Sequence, residues 1–190
     1  MCVSKLDGGL GFKDFESFNL AMLAKQWWRI IHSPQSLSFK VLRGRYFYYD
    51  DPMKIPQSLK GSYLWTSLME GRKVIEDGAY WRVGDDQRID VWKDAWIKQL
   101  PSFKVIQPEG TIPTSMKVVA LIDQERREWN SNILKEIFKE EKVDAITRIR
   151  LSKTICQDKL IWKNSVNGRF TVKSTYYTAS KILRKDIHQA

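Results

Sequence analysis

The first clear pattern along the chain is helical. Downstream of Asp14, the apolar residues Leu20, Leu23, Ala24, Trp27, Trp28 and Ile31 keep helical spacing, while Glu16, Lys25 and Arg29 fall elsewhere on the wheel. Asp14 can cap the first turn, and Ser33-Pro34 ends the run. Leu37, Val41 and Leu42 predict a second helix. A third runs from Ser62 through Trp65, Leu68, Met69 and Ile75, with Gly78 expected to close it from the C-cap position.

The period then changes. Trp81 and Val83 alternate with Arg82, Gly84-Asp85-Asp86-Gln87 offers a turn, and Ile89 and Val91 alternate with Asp90, which predicts a β-hairpin over 81–92. Residues 98–117 carry Pro101, Pro108, Gly110 and Pro113, leave little room for a regular element, and read as a linker. Beyond it come short helices near Asn132 to Phe138 and Val143 to Ile149. A second hairpin is expected from Lys159 to Val172, turning at Asn167-Gly168, and then a closing helix from Ser174. The expected class is α+β: a mainly helical N-terminal half with a β-hairpin, then short helices and a second β-hairpin followed by a helix. The expected organisation is 1–97, a linker over 98–117, and 118–190.

Composition supports a packed core, since 43% of the 190 residues are hydrophobic and 12% aromatic. Charge adds more. The formal net charge is +10, and it is uneven: residues 1–95 hold 14 Lys/Arg against 12 Asp/Glu, whereas residues 96–190 hold 18 against 10. Within 148–185, ten basic residues meet one acid, Asp158. That balance suits a polyanionic partner, nucleic acid before membrane, because no basic amphipathic helix or apolar span accompanies it. Cys2 and Cys156 lie far apart and the histidines are His32 and His188, so neither a zinc site nor a disulfide framework has its spacing, and a reducing, intracellular compartment is expected. No signal peptide is legible, and no cofactor is expected.

One stretch suggests catalysis. Tyr48-Tyr49-Asp50-Asp51 has the letters of a polymerase active site, where paired carboxylates hold two metal ions. Such a pair must sit between two buried strands. Here Phe39, Leu42, Arg43 and Tyr46 keep helical spacing upstream, and Pro52 removes a ladder donor downstream, so an acidic loop after a helix is the better reading. Gly8-Gly9-Leu10-Gly11 has no preceding strand and no Lys-Ser/Thr at phosphate-loop spacing. The acids from Glu136 to Asp144 alternate with Lys135, Lys139 and Lys142, which favours pairing on helix surfaces over a metal cluster. No enzyme is read here.

Four blocks carry a family resemblance: GGLGFKDFESFNLAMLAKQWWRII (8–31), LRGRYF (42–47), WTSLMEGRKVIEDGAYWRVGDDQRIDVWKDAWI (65–97) and DKLIWKNSVNGRFTVKSTY (158–176). In order over nearly the whole chain, they resemble plant LINE-type, non-LTR retroelement proteins, named as reverse transcriptase or ribonuclease H proteins. The resemblance implies a region after the polymerase palm and before a zinc-binding reverse-transcriptase domain and a ribonuclease H domain. It thus implies a fragment: a thumb-like or linker region plus the start of a truncated zinc-binding domain, without either set of catalytic carboxylates. A nuclear location and contact with the missing domains of the parent polyprotein follow from the same resemblance.

The expected partner is RNA or DNA, bound without sequence preference, and no membrane. On the second hairpin, alternation puts Leu160, Trp162, Phe170 and Val172 on one face and Lys159, Lys163 and Arg169 on the other. Arg148, Arg150, Lys153 and Lys173 are expected to extend that basic surface, which would contact phosphates without reading bases. Trp81, Trp92 and Trp96 could stack on bases, but tryptophans at this density belong more often to a core.

Overall fold

In the computed structural model, which describes residues 14–46, 51–56, 59–84, 88–100, 102–106, 115–152, 154 and 156–189, Asp14 caps helix α1 (Phe15–His32). Its Oδ2 accepts from the Ser17 backbone N–H at 2.9 Å and from the Ser17 hydroxyl at 2.5 Å, satisfying a donor that the first turn leaves open. Ser33 ends the helix. The fully buried stripe is Ser17, Ala21, Ala24, Trp27 and Ile30; Leu20, Leu23, Trp28 and Ile31 are half-buried. The face is thus rotated slightly from the one the large apolar residues predict, because small Ala21 and Ala24 admit a close neighbour.

That neighbour is α3 (Tyr63–Gly78). A β-carbon at Gly71 would stand 2.5 Å from the Leu23 carbonyl carbon, so the two backbones nearly touch where α1 crosses α3. Trp27 and Trp65 meet edge to face at 5.8 Å beside this contact. Between them in sequence, α2 (Leu37–Tyr46) buries Phe39 and Leu42 but leaves Leu37 and Val41 exposed, unlike the expected face. A 3-10 turn follows at Pro52–Lys54. Buried Arg72 fastens it to α3: one guanidinium N–H donates to the Ile55 carbonyl, another to the Met53 carbonyl at 2.7 Å, and Nε to Glu76 at 2.8 Å.

The chain forms two compact units, residues 1–78 with 162–190, and residues 79–161. This division falls at Gly78 and Trp162, and the proline-rich segment 98–117 lies inside the second unit. The first unit is completed by α6 (Val172–Gln189), which packs on α1 and α3. Trp28 stacks on Phe170 at 5.0 Å and meets Trp162 edge-on at 6.2 Å.

The second unit begins with β1 (Ala79–Arg82) and contains β2 (Ile122–Asp123), β3 (Glu128–Trp129), α4 (Ser131–Ile137), α5 (Glu140–Thr147) and most of β4 (Lys159–Trp162). The class is α+β, as the periodicities predict. The strand pairing is not. β1 pairs with β4, so the expected 81–92 hairpin does not form; Asp90 instead bridges Lys117. The second expected hairpin keeps only its turn. Gly168 takes φ 66° and its carbonyl accepts from the Trp162 N–H, but residues 169–171 form no strand and Val172 already begins α6. A hairpin does form where none was expected, β2 with β3, over a turn in which Asp123 Oδ1 accepts from the Glu125 and Arg126 N–H groups.

Trp81, Trp92 and Trp96 are all core residues, at 7%, 7% and 1% exposure. Trp96 donates to the Val91 carbonyl and packs on Trp129. Asp90 is buried with them. One carboxylate oxygen accepts from the Trp92 and Lys93 N–H groups and the other from Ser115, so it orders a tight local turn.

Candidate nucleic-acid interface

Tyr46 closes α2, as expected, and Tyr48, Tyr49 and Asp50 lie outside the described residues, as do residues 8–11. Asp51 is the cap of the 3-10 turn: its Oδ1 accepts from the Met53 N–H at 2.9 Å and its Oδ2 pairs with Lys54 at 3.5 Å. No strand flanks it among the described residues. Among the described residues, no group of three or more His, Cys, Asp or Glu could hold a metal ion.

Asp158, the acid of the basic stretch, is 6% exposed and turned inward: one oxygen accepts from the Gly84 N–H at 2.7 Å and the other from the Arg88 N–H at 3.3 Å. It stitches β4 to the loop after β1. Gly84 is required there, since a β-carbon would stand 2.2 Å from the Cys156 carbonyl oxygen. The acid that sequence counting sets against ten bases is therefore committed to two backbone donors inside the second unit.

The candidate cations divide between the units. Arg148, the C-cap of α5, Arg150 and Lys159 are exposed in the second unit, and Lys153 lies outside the described residues. Lys163, Arg169 and Lys173 belong to the first. Because the second hairpin is not formed, Lys159, Lys163 and Arg169 are not brought onto one face of paired strands. Lys163 is half-buried, its ammonium held by the Asp77 carbonyl and, at 3.5 Å, by the Asp77 carboxylate. Arg169 is exposed just after the Gly168 turn. The pairing expected between acids and lysines of α4 and α5 is not among the ion pairs of the described residues, which join Lys54 to Asp51, Arg72 to Glu76, Lys73 to Glu70 and Lys163 to Asp77.

What the first unit does assemble is an open cleft of about 470 Å³ along the first half of α6. Thr171 caps this helix, accepting from the Ser174 N–H at 3.2 Å through its hydroxyl, and no acid occupies the first turn. Lys173, Tyr177 and Lys181 line the cleft from the helix, with Asn164 and the Lys163–Asp77 pair opposite in sequence. Asn164 is fixed by donating to the Thr178 hydroxyl at 2.7 Å. Tyr177 is 68% exposed. Lys173 is among the cations expected to face nucleic acid, whereas Tyr177 and Lys181 are not. Their signal is a four-residue spacing along the helix expected from Ser174, read together with charge and an aromatic side chain.

No family model matches the chain, and no solved structure matches it. Over 98 residues it is 44% identical to an uncharacterized mitochondrial protein of Arabidopsis thaliana, covering 51% of this chain and 64% of that protein. Over 194 positions it is 31% identical to an Arabidopsis thaliana protein named "Putative ribonuclease H protein", covering 93% of this chain and 29% of the relative. The chain thus spans less than two thirds of either relative's length.

Proposed function

We propose that the chain is a non-catalytic nucleic-acid-binding segment of a plant retrotransposon-derived protein, a reading supported by its 31% identity over 93% of its length to the relative named "Putative ribonuclease H protein". In the finer form of this reading the parent is LINE-type, and the segment lies between the polymerase palm and a zinc-binding domain. It binds RNA and DNA without sequence preference through Arg148, Arg150, Lys153, Lys159, Lys163, Arg169 and Lys173. The observation that carries the reading is the unequal fate of the charges in 148–185. Arg148, Arg150, Lys159, Arg169 and Lys173 are exposed, while Asp158 is buried on backbone donors. Phosphate contacts of this kind release counterions and give a salt-dependent, sequence-independent affinity.

The test is a salt titration of binding to unrelated DNA and RNA oligonucleotides. Changing Arg148, Arg150, Lys159 and Arg169 to Gln should weaken all of them alike and flatten the slope of log affinity against log salt by roughly 0.7 to 0.9 for each phosphate no longer neutralised. Changing exposed Lys25, Lys40 and Lys60 should do much less. Equal losses in both sets would reduce the effect to net charge.

A second reading has its own observation. Phe15, Leu37, Val41 and Leu64, all in the first unit, are 87%, 77%, 61% and 61% exposed. In that reading these side chains pack on other domains of the parent polyprotein. Self-association and strong hydrophobic-dye binding, without salt-sensitive nucleic-acid binding, would favour it.

A further inference from the structure

The geometry points to a specific single-strand site within that binding activity: we infer that the α6 cleft holds one unpaired strand, with Tyr177 stacked on a base and Lys173 and Lys181 contacting phosphates on either side. The inference rests on the nucleic-acid reading above and narrows it. Lys173, Tyr177 and Lys181 follow one another at intervals of four residues, so they form one row along the helix, about 12 Å from first to last at 1.5 Å per residue. Exposed Lys185 continues the row.

The chemistry separates this cleft from a merely basic surface. A tyrosine with 68% of its surface exposed, beside the buried Thr178 and Ala179, is the one cleft-lining residue that offers an aromatic face. Aromatic side chains set in a positive groove are how proteins hold single strands, since every base has a face to stack. A duplex keeps its bases stacked on each other and gains nothing from the ring. Asp77, the acid at the cleft, is matched by Lys163, which leaves Lys173 and Lys181 to set the local sign.

The experiment measures binding of the full chain to a labelled oligothymidine, to a duplex of equal length, and to phosphatidylserine vesicles. Tyr177→Ala should weaken single-strand binding by about 5- to 150-fold, the range for one stacked base. It should leave the duplex affinity and the salt slope nearly unchanged, and Tyr177→Phe should restore binding. Lys173→Gln with Lys181→Gln should lower the single-strand salt slope by about 1.4, at ~0.7 per phosphate. If Tyr177→Ala lowers single-strand and duplex binding equally, or neither, the site is overturned while the broader reading stands. Tyr177-dependent binding confined to the vesicles also overturns it, and a wild-type chain that binds no oligonucleotide sinks both.

Discussion

Gly78 lies so close to the indole of Trp162 that a β-carbon at residue 78 would stand 2.1 Å from Trp162 Cη2. The sequence suggests a helix-closing glycine, but the backbone there is not left-handed; among the described residues Gly168 is the glycine with positive φ. Space, rather than conformation, is what Gly78 supplies. Trp162 is fully buried and its Nε1 donates to Ser174 at 3.0 Å, so the ring has little room to retreat.

Gly78→Ala should therefore destabilise the chain by about 1–3 kcal/mol, the usual cost of overpacking. Trp162→Phe, which shortens the ring system, should make the same alanine cheaper. Urea unfolding of the two single variants and the double variant checks this. Additive effects would mean that Gly78 and Trp162 are not coupled.

Asp51→Ala should cost about 1 kcal/mol through loss of the cap on the 3-10 turn, and Asp51→Asn less, since asparagine also caps. Neither the chain nor its variants should extend a primed RNA template with Mg²⁺ or Mn²⁺. Extension by the wild type that Asp50→Asn with Asp51→Asn abolishes would restore the polymerase reading.

Arg72→Met should be more damaging, by roughly 3 kcal/mol or more, because it strands two backbone carbonyls and breaks a pair in which the arginine side chain is 6% exposed. Arg72→Lys should recover only part, as one ammonium cannot reach Met53, Ile55 and Glu76 in the geometry of a planar fork. Thermal unfolding of the three proteins ranks them. A lysine variant as stable as wild type would show that charge alone is needed.

The hydroxyl of Ser17, and then its N–H, holds the Asp14 carboxyl below its ordinary value of 3.8. A depressed carboxyl adds stability that is complete above the unfolded value and disappears as pH falls through the folded one. Stability measured from pH 6 downward should thus begin to lose this contribution just below pH ~4. Asp14→Asn keeps a cap that does not titrate, so its stability should match wild type near neutrality and fall less on acidification. Parallel acid profiles would remove Asp14 as a source of the slope.

Helices were legible because their signals are local. The Asp14 cap, the Ser33-Pro34 stop and the spacing of Trp65, Leu68, Met69 and Ile75 locate α1 and α3 closely, and α4 and α5 lie where their short apolar faces suggest. Strand pairing was not legible. β1 and β4 pair across most of the second unit, while Asn167-Gly168 imitates the turn of a hairpin whose return strand never forms. The β2–β3 hairpin was hidden for the opposite reason: Arg127, at φ 55°, occupies a left-handed position where glycine or asparagine would have signalled the turn. Of the candidate interface, charge singles out Lys173 and Arg169, but only the completed helix places Tyr177 and Lys181 with Lys173 in one cleft.

The interruption of the first unit between Gly78 and Trp162 sets a schedule for synthesis. As the chain leaves the ribosome, α1, α2 and α3 emerge early, yet the surface that α1 will share with α6 has no cover until residues 162–190 have been translated. Residues 79–161 are complete before then and can fold while the first helices wait. Trp28 spends that interval without Trp162 and Phe170. A nascent chain stalled before residue 162 would present that face to chaperones, and translation of residues 162–190 closes it.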